Sequence, residues 1–179
     1  MKKNLILFVI IFSFFSTNAQ EKYNLTKNLF KINIITPGIT YEKRICKNSS
    51  VCLDTDLSIG FSIKNNKSYL VASPFLRGQY RYYYNLEKRL IKNKSISNNS
   101  GNFISLSSSY YFNSINNKDI VSVYDGFTIG CIWGLQRTYK NNINITINSG
   151  IGYNTLNESK TNNTIVPIIN FTLGWVLGK

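Results

Sequence analysis

The stretch VCLDTDLSIGFSI, residues 51 to 63, decides the fold of this chain. Its odd positions are aliphatic or aromatic, with the single exception of Thr55, and its even positions carry Cys, Asp, Ser and Gly. A repeat of two residues is typical of a β-strand that has one apolar and one polar face. The stretch is long for such a strand, because globular strands mostly have about five or six residues.

The same alternation recurs in seven further segments, which are separated by the Asn, Ser, Gly and Lys residues typical of turns. The apolar parity changes at Pro37-Gly38, where we expect a tight turn rather than a bulge. One or two helical turns are predicted within residues 85–92. The chain is therefore predicted to be all-β, with strands at about 29–36, 39–45, 51–63, 69–84, 102–112, 126–140, 143–153 and 164–178.

Residues 1–19 predict a cleaved secretory signal. Lys2 and Lys3 precede an apolar run over residues 5–15, and the small residues of 16–19 follow that run. The run is too short for a membrane anchor, which needs about 20 apolar residues. No later segment of the sequence offers 18 uninterrupted apolar residues. We expect residues 20–179 to form a single domain.

Composition and net charge limit the catalytic mechanisms and the binding partners that this chain can have. The sequence contains no histidine, which removes imidazole-dependent catalysis and most zinc sites. The net charge is +13 and falls to +11 without Lys2 and Lys3. An exported chain is not expected to bind nucleic acid, so either anionic lipid or lipopolysaccharide is the counter-charge or the lysines only keep the chain soluble. We predict no metal and no cofactor.

Alternation alone does not say which face lies inside the sheet. A soluble barrel around an apolar calyx and a membrane barrel around a polar lumen give the same period. Strand length favours the membrane, because thirteen tilted residues span about 30 Å, the thickness of the hydrocarbon core. The polar faces also favour it, because they carry Ser, Thr, Asn, Gln and Gly, which suit a narrow interior, while the lysines lie mostly at segment ends and in loops.

The connections and the aromatic residues point the same way. Outer-membrane barrels have short turns on the periplasmic side and longer loops outside. Aromatic residues gather near the predicted strand ends, as at Tyr82, Tyr139 and Trp175, and amphipathic rings favour the headgroup level. We therefore predict an eight-stranded antiparallel up-and-down transmembrane β-barrel with its apolar face outward. The predicted inner connections are 47–50, 85–101 and 141–142, and the outer ones are 37–38, 64–68, 113–125 and 154–163; the short 37–38 and the long 85–101 break the rule.

The chain resembles a known family of membrane proteins. The features that carry the resemblance are the signal, GITYEKR at residues 38–44, RGQYRYYYNLEKR at residues 77–89 and a strand at the C-terminus. Together they look like the small outer-membrane β-barrel proteins of Bacteroidota type. The resemblance implies an antiparallel barrel in the outer membrane, usually without an assigned activity.

Charged residues on the polar faces of the second to fourth strands are predicted to form a network in the lumen. A hairpin symmetric about residues 47–50 would pair Arg44 with Asp54. It would also oppose the carboxylates Glu42 and Asp56, which is unfavourable unless a cation such as Arg77 lies between them. The network is read as a structural plug or as a charged gate. Its predicted members are Glu42, Arg44, Asp54, Asp56, Arg77 and Arg81.

The cysteines and the carboxylates offer few routes to chemistry. Cys46 and Cys52 flank the same turn on one predicted face, and a disulfide between them is left open, because its geometry is demanding for opposite strand residues. Cys131, on the apolar face, is expected to pack as a small hydrophobe. A paired-carboxylate hydrolase is the sharpest enzymatic interpretation of Asp54 and Asp56, but they lie two residues apart on one strand, with no nucleophile or substrate cleft evident. We predict no catalytic residues.

The predicted function is that of an integral outer-membrane protein without catalysis, with a structural or surface-interaction role. Its partners would be outer-membrane lipid and, through the external loops 113–125 and 154–163, lipopolysaccharide or an extracellular ligand. Two alternatives stay open. One is a narrow pore for small solutes, and the other is a secreted soluble barrel that binds an apolar ligand.

Overall fold

The computed structural model describes residues 24–64, 67–113, 126–156 and 164–177. The strands in these ranges are β1 (Asn28–Asn33), β2 (Gly38–Cys46), β3 (Ser49–Lys64), β4 (Lys67–Tyr83), β5 (Gly101–Tyr111), β6 (Gly126–Thr138), β7 (Ile143–Leu156) and β8 (Thr164–Leu177). Each strand pairs antiparallel with the next along the chain, and β8 pairs with β1, so that one sheet closes into a ring. The prediction of eight antiparallel up-and-down strands is confirmed.

The strand bounds lie within three residues of those predicted from the alternation. The strand that is shortened most relative to the prediction is β1. It ends at Asn33 instead of residue 36, because the chain turns over residues 34–37. The Leu57 amide donates to the Pro37 carbonyl at 3.0 Å and anchors this turn, which was predicted at the change of parity. The predicted helical turns are found as α1 (Leu86–Ile91). No helix in the described ranges is long and apolar enough to cross a membrane.

Side chains that point into the ring are mostly polar, and those that point away from it are mostly apolar. On β3 the side chains of Cys52, Asp54 and Asp56 are buried, whereas Val51 and Leu53 are 44% and 48% exposed. Among the described residues, more polar and charged side chains are buried than hydrophobic ones. The predicted direction of the two faces, with the apolar face outward, is therefore confirmed.

One end of the ring, which we call the lower end, carries residues 24–27, 47–48, 84–100 and 139–142. The long connection after β4 folds beneath this end, and Leu86 of α1 packs with Leu25, Tyr83 and Phe103 in a small hydrophobic cluster, against which Ile96 also packs. Backbone and side-chain hydrogen bonds tie this connection to the first residues and to β5, as in Asn102 N to Asn85 Oδ1 at 2.7 Å. We call this assembly the lower cap.

Two predictions fall largely on residues outside the described ranges. The signal over residues 1–19 lies outside them altogether. Of the external loops 113–125 and 154–163, only residue 113 and residues 154–156 are described.

Candidate functional site inside the ring

The lower half of the interior is organised around the buried carboxylate of Glu42 on β2. Arg81 of β4 lies 3.2 Å from Glu42 Oε2 and forms an ion pair with it. Ser50 and Tyr83 donate hydroxyl hydrogen bonds to Glu42 Oε1 at 2.6 and 2.8 Å. Gln136 donates to Oε2 from the opposite side of the ring at 3.3 Å. The carboxylate is thereby held by four donors, as a buried charge requires.

Arg81 and Lys31 bring two cations to the same level of the interior. The Arg81 guanidinium lies 4.7 Å from the centre of the Phe103 ring and donates to the side-chain carbonyl of Gln136. Lys31 Nζ donates to Gln136 Oε1 at 3.0 Å and to Asn144 Oδ1 at 3.2 Å. Sequence reasoning missed Lys31, although it alternates with the apolar Phe30 and Ile32 and so shares the polar parity of β1.

A second ion pair lies above the first, toward the other end of the ring. Arg77 Nε contacts Asp54 Oδ2 at 3.0 Å, and Thr40 donates to Asp54 Oδ1 at 2.7 Å. Asp56 is buried beside them and accepts a hydrogen bond from Asn33 Nδ2 at 2.8 Å. Charge in the described interior is balanced, because the buried cations Lys31, Arg77 and Arg81 face the buried carboxylates Glu42, Asp54 and Asp56.

The predicted pairing between β2 and β3 was wrong. Arg44 lies opposite Ser50 rather than Asp54, a slide of four residues, because the hairpin turns at residues 47–48 instead of about residues 47–50. An even slide leaves the side chains of the regular strand residues on their predicted faces, so five of the six predicted members remain inside while their partners change. The observed pairs are Arg44 with Ser50, Glu42 with Cys52, Thr40 with Asp54 and Gly38 with Asp56.

Arg44 does not belong to the interior network. Its side chain is half-buried, and its guanidinium donates to the backbone carbonyl of Leu25 at 3.1 Å, at the edge of the lower cap. The other five predicted members of the network are all buried in the ring: Glu42, Asp54, Asp56, Arg77 and Arg81.

The disulfide between Cys46 and Cys52 is not formed. The register shifts between Arg44 and Cys46, and this irregularity puts Cys46 opposite Ser49, whereas Cys52 lies opposite Glu42. Cys46 is exposed and Cys52 is buried, so the two thiols do not share a face and are free. Cys131 is also a free thiol and lies on the outward face, as predicted.

The interior has room near its upper end, the end opposite the lower cap. There a cavity of about 260 Å³ is lined by inward side chains that include Arg77, Ser109, Thr128 and Asn154. Within the described ranges no three His, Cys, Asp or Glu residues come together as a metal site. The carboxylates are hydrogen-bonded to side chains of other strands, both neighbouring and distant in the ring, so the arrangement cross-links the ring.

Comparisons of this chain with protein-family models, with curated proteins and with solved structures gave no match.

Proposed function

We infer that this chain is an integral outer-membrane β-barrel protein whose outward apolar face contacts lipid. The observation that carries this proposal is the inversion of the usual burial pattern. Large apolar side chains such as Ile165, Ile169 and Ile151 are 78%, 81% and 66% exposed, while the buried face is charged and amide-rich. A soluble protein rarely exposes contiguous apolar patches of more than a few hundred Å². In a bilayer, exposure of this face carries no hydration cost, because hydrocarbon is as apolar as these side chains.

The strand lengths support the same proposal. Strands β3 to β8 have between 11 and 17 residues. A tilted strand needs about 9–11 residues to cross a bilayer. The ring also leaves no edge strand, which satisfies the backbone hydrogen bonds that lipid cannot satisfy.

The lower end is proposed to face the periplasm. Two of its connections, at residues 47–48 and 139–142, are short turns, and the long third one, residues 84–100, is folded into the lower cap; two of the connections at the upper end are long. Exposed Tyr84, Tyr139 and Trp175 lie toward the lower end and suit the headgroup level. The resemblance to Bacteroidota outer-membrane barrels remains part of this proposal.

The role we propose is structural or adhesive rather than catalytic or conducting. Eight strands enclose an interior that side chains just fill. Here the two ion pairs occupy it, and Leu86 and Phe103 close the lower end. Binding of lipopolysaccharide or an extracellular ligand is assigned to the external loops 113–125 and 154–163.

Fractionation of an expressing bacterium tests this proposal. We expect the full chain in the outer-membrane fraction after a carbonate wash, with a mobility in gels that changes on boiling. Recovery in the aqueous phase without detergent would contradict it and would favour the soluble calyx. Recording the ionic current across a planar bilayer distinguishes a structural or adhesive role from that of a pore. We expect no current above background, and steady single-channel steps would show that the protein conducts ions.

A further inference from the structure

An aromatic groove runs along the outward face of β5, between β4 and β6. Its floor is Ile104 and Leu106, and its walls include Tyr80 and Tyr82 on one side and Trp133 on the other, around a volume of about 490 Å³. The walls stand above the floor because Tyr and Trp side chains are longer than those of Ile and Leu. This lining is chemically suited to an alkyl chain, because hydrocarbon packs favourably against apolar side chains.

Polar groups close the lower end of this groove. The Trp133 indole Nε1 donates to the Tyr84 hydroxyl at 2.8 Å, which bridges from β6 to the end of β4 across β5. Asn102, at the start of β5, contacts the same hydroxyl at 3.4 Å. Arg137 NH2 donates to Asn102 Oδ1 at 2.5 Å. A guanidinium therefore lies beyond this end of the groove, linked to its Trp133 wall through Tyr84 and Asn102.

A second guanidinium is carried at the same end of the ring without a compensating carboxylate. Arg89 lies one turn after Asn85 on α1, and its amide donates to the Asn85 carbonyl at 3.0 Å. The Asn85 side chain in turn accepts a hydrogen bond from the amide of Asn102, the residue whose side chain Arg137 contacts. Their side-chain hydrogen bonds go to neutral acceptors, namely Ser95 O for Arg89, and Gln136 O and Asn102 Oδ1 for Arg137. Neither forms an ion pair with a carboxylate of the described residues, in contrast to Arg77 and Arg81. Two guanidinium groups at the same end of an apolar groove are complementary to a phosphate, which they can bind with several N–H donors.

We propose that this face binds one anionic phospholipid, with an acyl chain in the aromatic groove and the phosphodiester beside Arg89 and Arg137. The inference rests on the proposed function, which sets the groove in hydrocarbon and its lower end at the headgroup level of the periplasmic leaflet. That level selects phospholipid over lipopolysaccharide, which would contact the upper end.

Tryptophan quenching by brominated lipid tests the site directly. The chain has only two tryptophans, so Trp175→Phe leaves Trp133 in the groove as the single reporter, and Trp133→Phe leaves Trp175 on β8 as the reference. Each full-length protein is refolded into phosphatidylcholine vesicles that contain either brominated phosphatidylglycerol or brominated phosphatidylcholine. Each basic group near an anionic lipid raises the binding affinity by a factor of about five. We therefore expect phosphatidylglycerol to bind at Trp133 at least about fivefold more tightly than phosphatidylcholine. At Trp175 we expect the two lipids to quench about equally.

Charge variants identify the groups responsible. Arg89→Gln with Arg137→Gln should remove the preference at Trp133, whereas Arg137→Lys, which keeps the charge, should retain most of it. The matched control is Lys27→Gln with Lys43→Gln, which removes two charges from exposed positions near β1 and β2 at the same end. It should leave the preference unchanged. Boiling-dependent gel mobility shows that each variant is folded.

Three outcomes would overturn the inference: equal quenching of Trp133 by both lipids, a preference that survives loss of both arginines, or the same preference at Trp175. Failure of the proposed function looks different, because then neither lipid would quench either tryptophan.

Discussion

At the scale of single residues, the interior depends on polar partners that come from distant strands. Glu42 on β2 is fully buried and accepts hydrogen bonds from β3, β4 and β6, through Ser50, Tyr83, Arg81 and Gln136. A buried charge that loses its partner keeps the desolvation cost and loses the compensation. The ion pairs therefore act as cross-links whose two halves depend on each other.

Arg81→Met should destabilise the protein by about 3–5 kcal/mol, because it leaves Glu42 buried without its cation. Adding Glu42→Gln to that variant should recover much of the loss, since the uncompensated charge is then removed. Urea unfolding of the protein refolded into phosphatidylcholine vesicles, followed by tryptophan fluorescence, gives the free energies. Exposed Lys43→Gln is the matched control and should stay within about 0.5 kcal/mol. A double variant no more stable than Arg81→Met would contradict the cross-link.

Gly134→Ala should cost about 1–3 kcal/mol, because a Cβ at this inward position of β6 would overlap the ring of Phe103 and force it to move. Gly78→Ala on β4 is the control, since a Cβ there meets no atom within 4 Å. That change should stay within about 0.5 kcal/mol in the same urea titration. Equal effects at the two glycines would show that Phe103 is not packed against Gly134.

The sequence predicted most of the charged residues that line the interior but not which of them contact each other. Parity assigns a face to every strand residue, so Asp54 and Arg77 were placed correctly. Their pairing depends on register, and the tighter turn at residues 47–48 changed it without altering parity. Lys31 was not predicted to be inside, because it is a single lysine in a short strand, away from the charged residues of the second to fourth strands. Its alternation with the apolar Phe30 and Ile32 is the signal that places it on the polar face.

At the scale of elements, α1 closes the lower end of the ring. Leu86 is 1% exposed and packs against Leu25, Tyr83 and Phe103, whereas Ile91 at the other end of the same helix is 76% exposed. The helix is too short to be stable alone, so it is held by this packing.

Leu86→Ala should therefore cost about 2–5 kcal/mol through the cavity that it leaves in the cluster. Ile91→Ala removes a similar side chain from the same helix and should stay within about 0.5 kcal/mol. The same vesicle-based urea titration measures both. A loss at Ile91 as large as that at Leu86 would contradict the described packing.

Lysine substitutions on the outward face of β8 test whether this face contacts lipid or water. Ile169 is 81% exposed near the middle of its strand, and Ile91 is 76% exposed on α1, outside the sheet. In a bilayer, Ile169→Lys should cost about 2–4 kcal/mol, as lysine does near the midplane. Ile91→Lys should be nearly neutral. The difference between their free energies of unfolding in phosphatidylcholine vesicles is the readout, and equal, small effects would contradict contact between β8 and hydrocarbon.

Elements were more predictable than contacts because each strand carries its own signal. The alternation located all eight, and the ends shifted where local turn chemistry intervened, as at β1, which stops before the turn at residues 34–37. The lower cap was predicted only as helical turns. Its docking under the ring depends on Leu25 and Phe103, which are far away in sequence from Leu86.

At the scale of the whole molecule, the distribution of polarity is inverted relative to a soluble protein. A polar, charge-balanced interior holds the ring together, and an apolar surface covers the outside of the strands. The sequence could predict this direction because the polar faces carry small uncharged residues in place of the lysines and glutamates of a solvated surface. It could not predict a ligand, because the composition of the predicted external loops 113–125 and 154–163 indicates only that they are solvated.

Photolabelling from within the lipid tests the central claim most directly. A hydrophobic diazirine dissolved in the envelope of expressing cells forms a carbene that labels whatever side chains it meets, and mass spectrometry locates the labels. We predict labels on the outward Ile129, Ile151 and Ile169 and none on the inward Thr146 and Asn148. A chain that carries no label on the outward isoleucines, or that is labelled equally on both faces, would contradict the account.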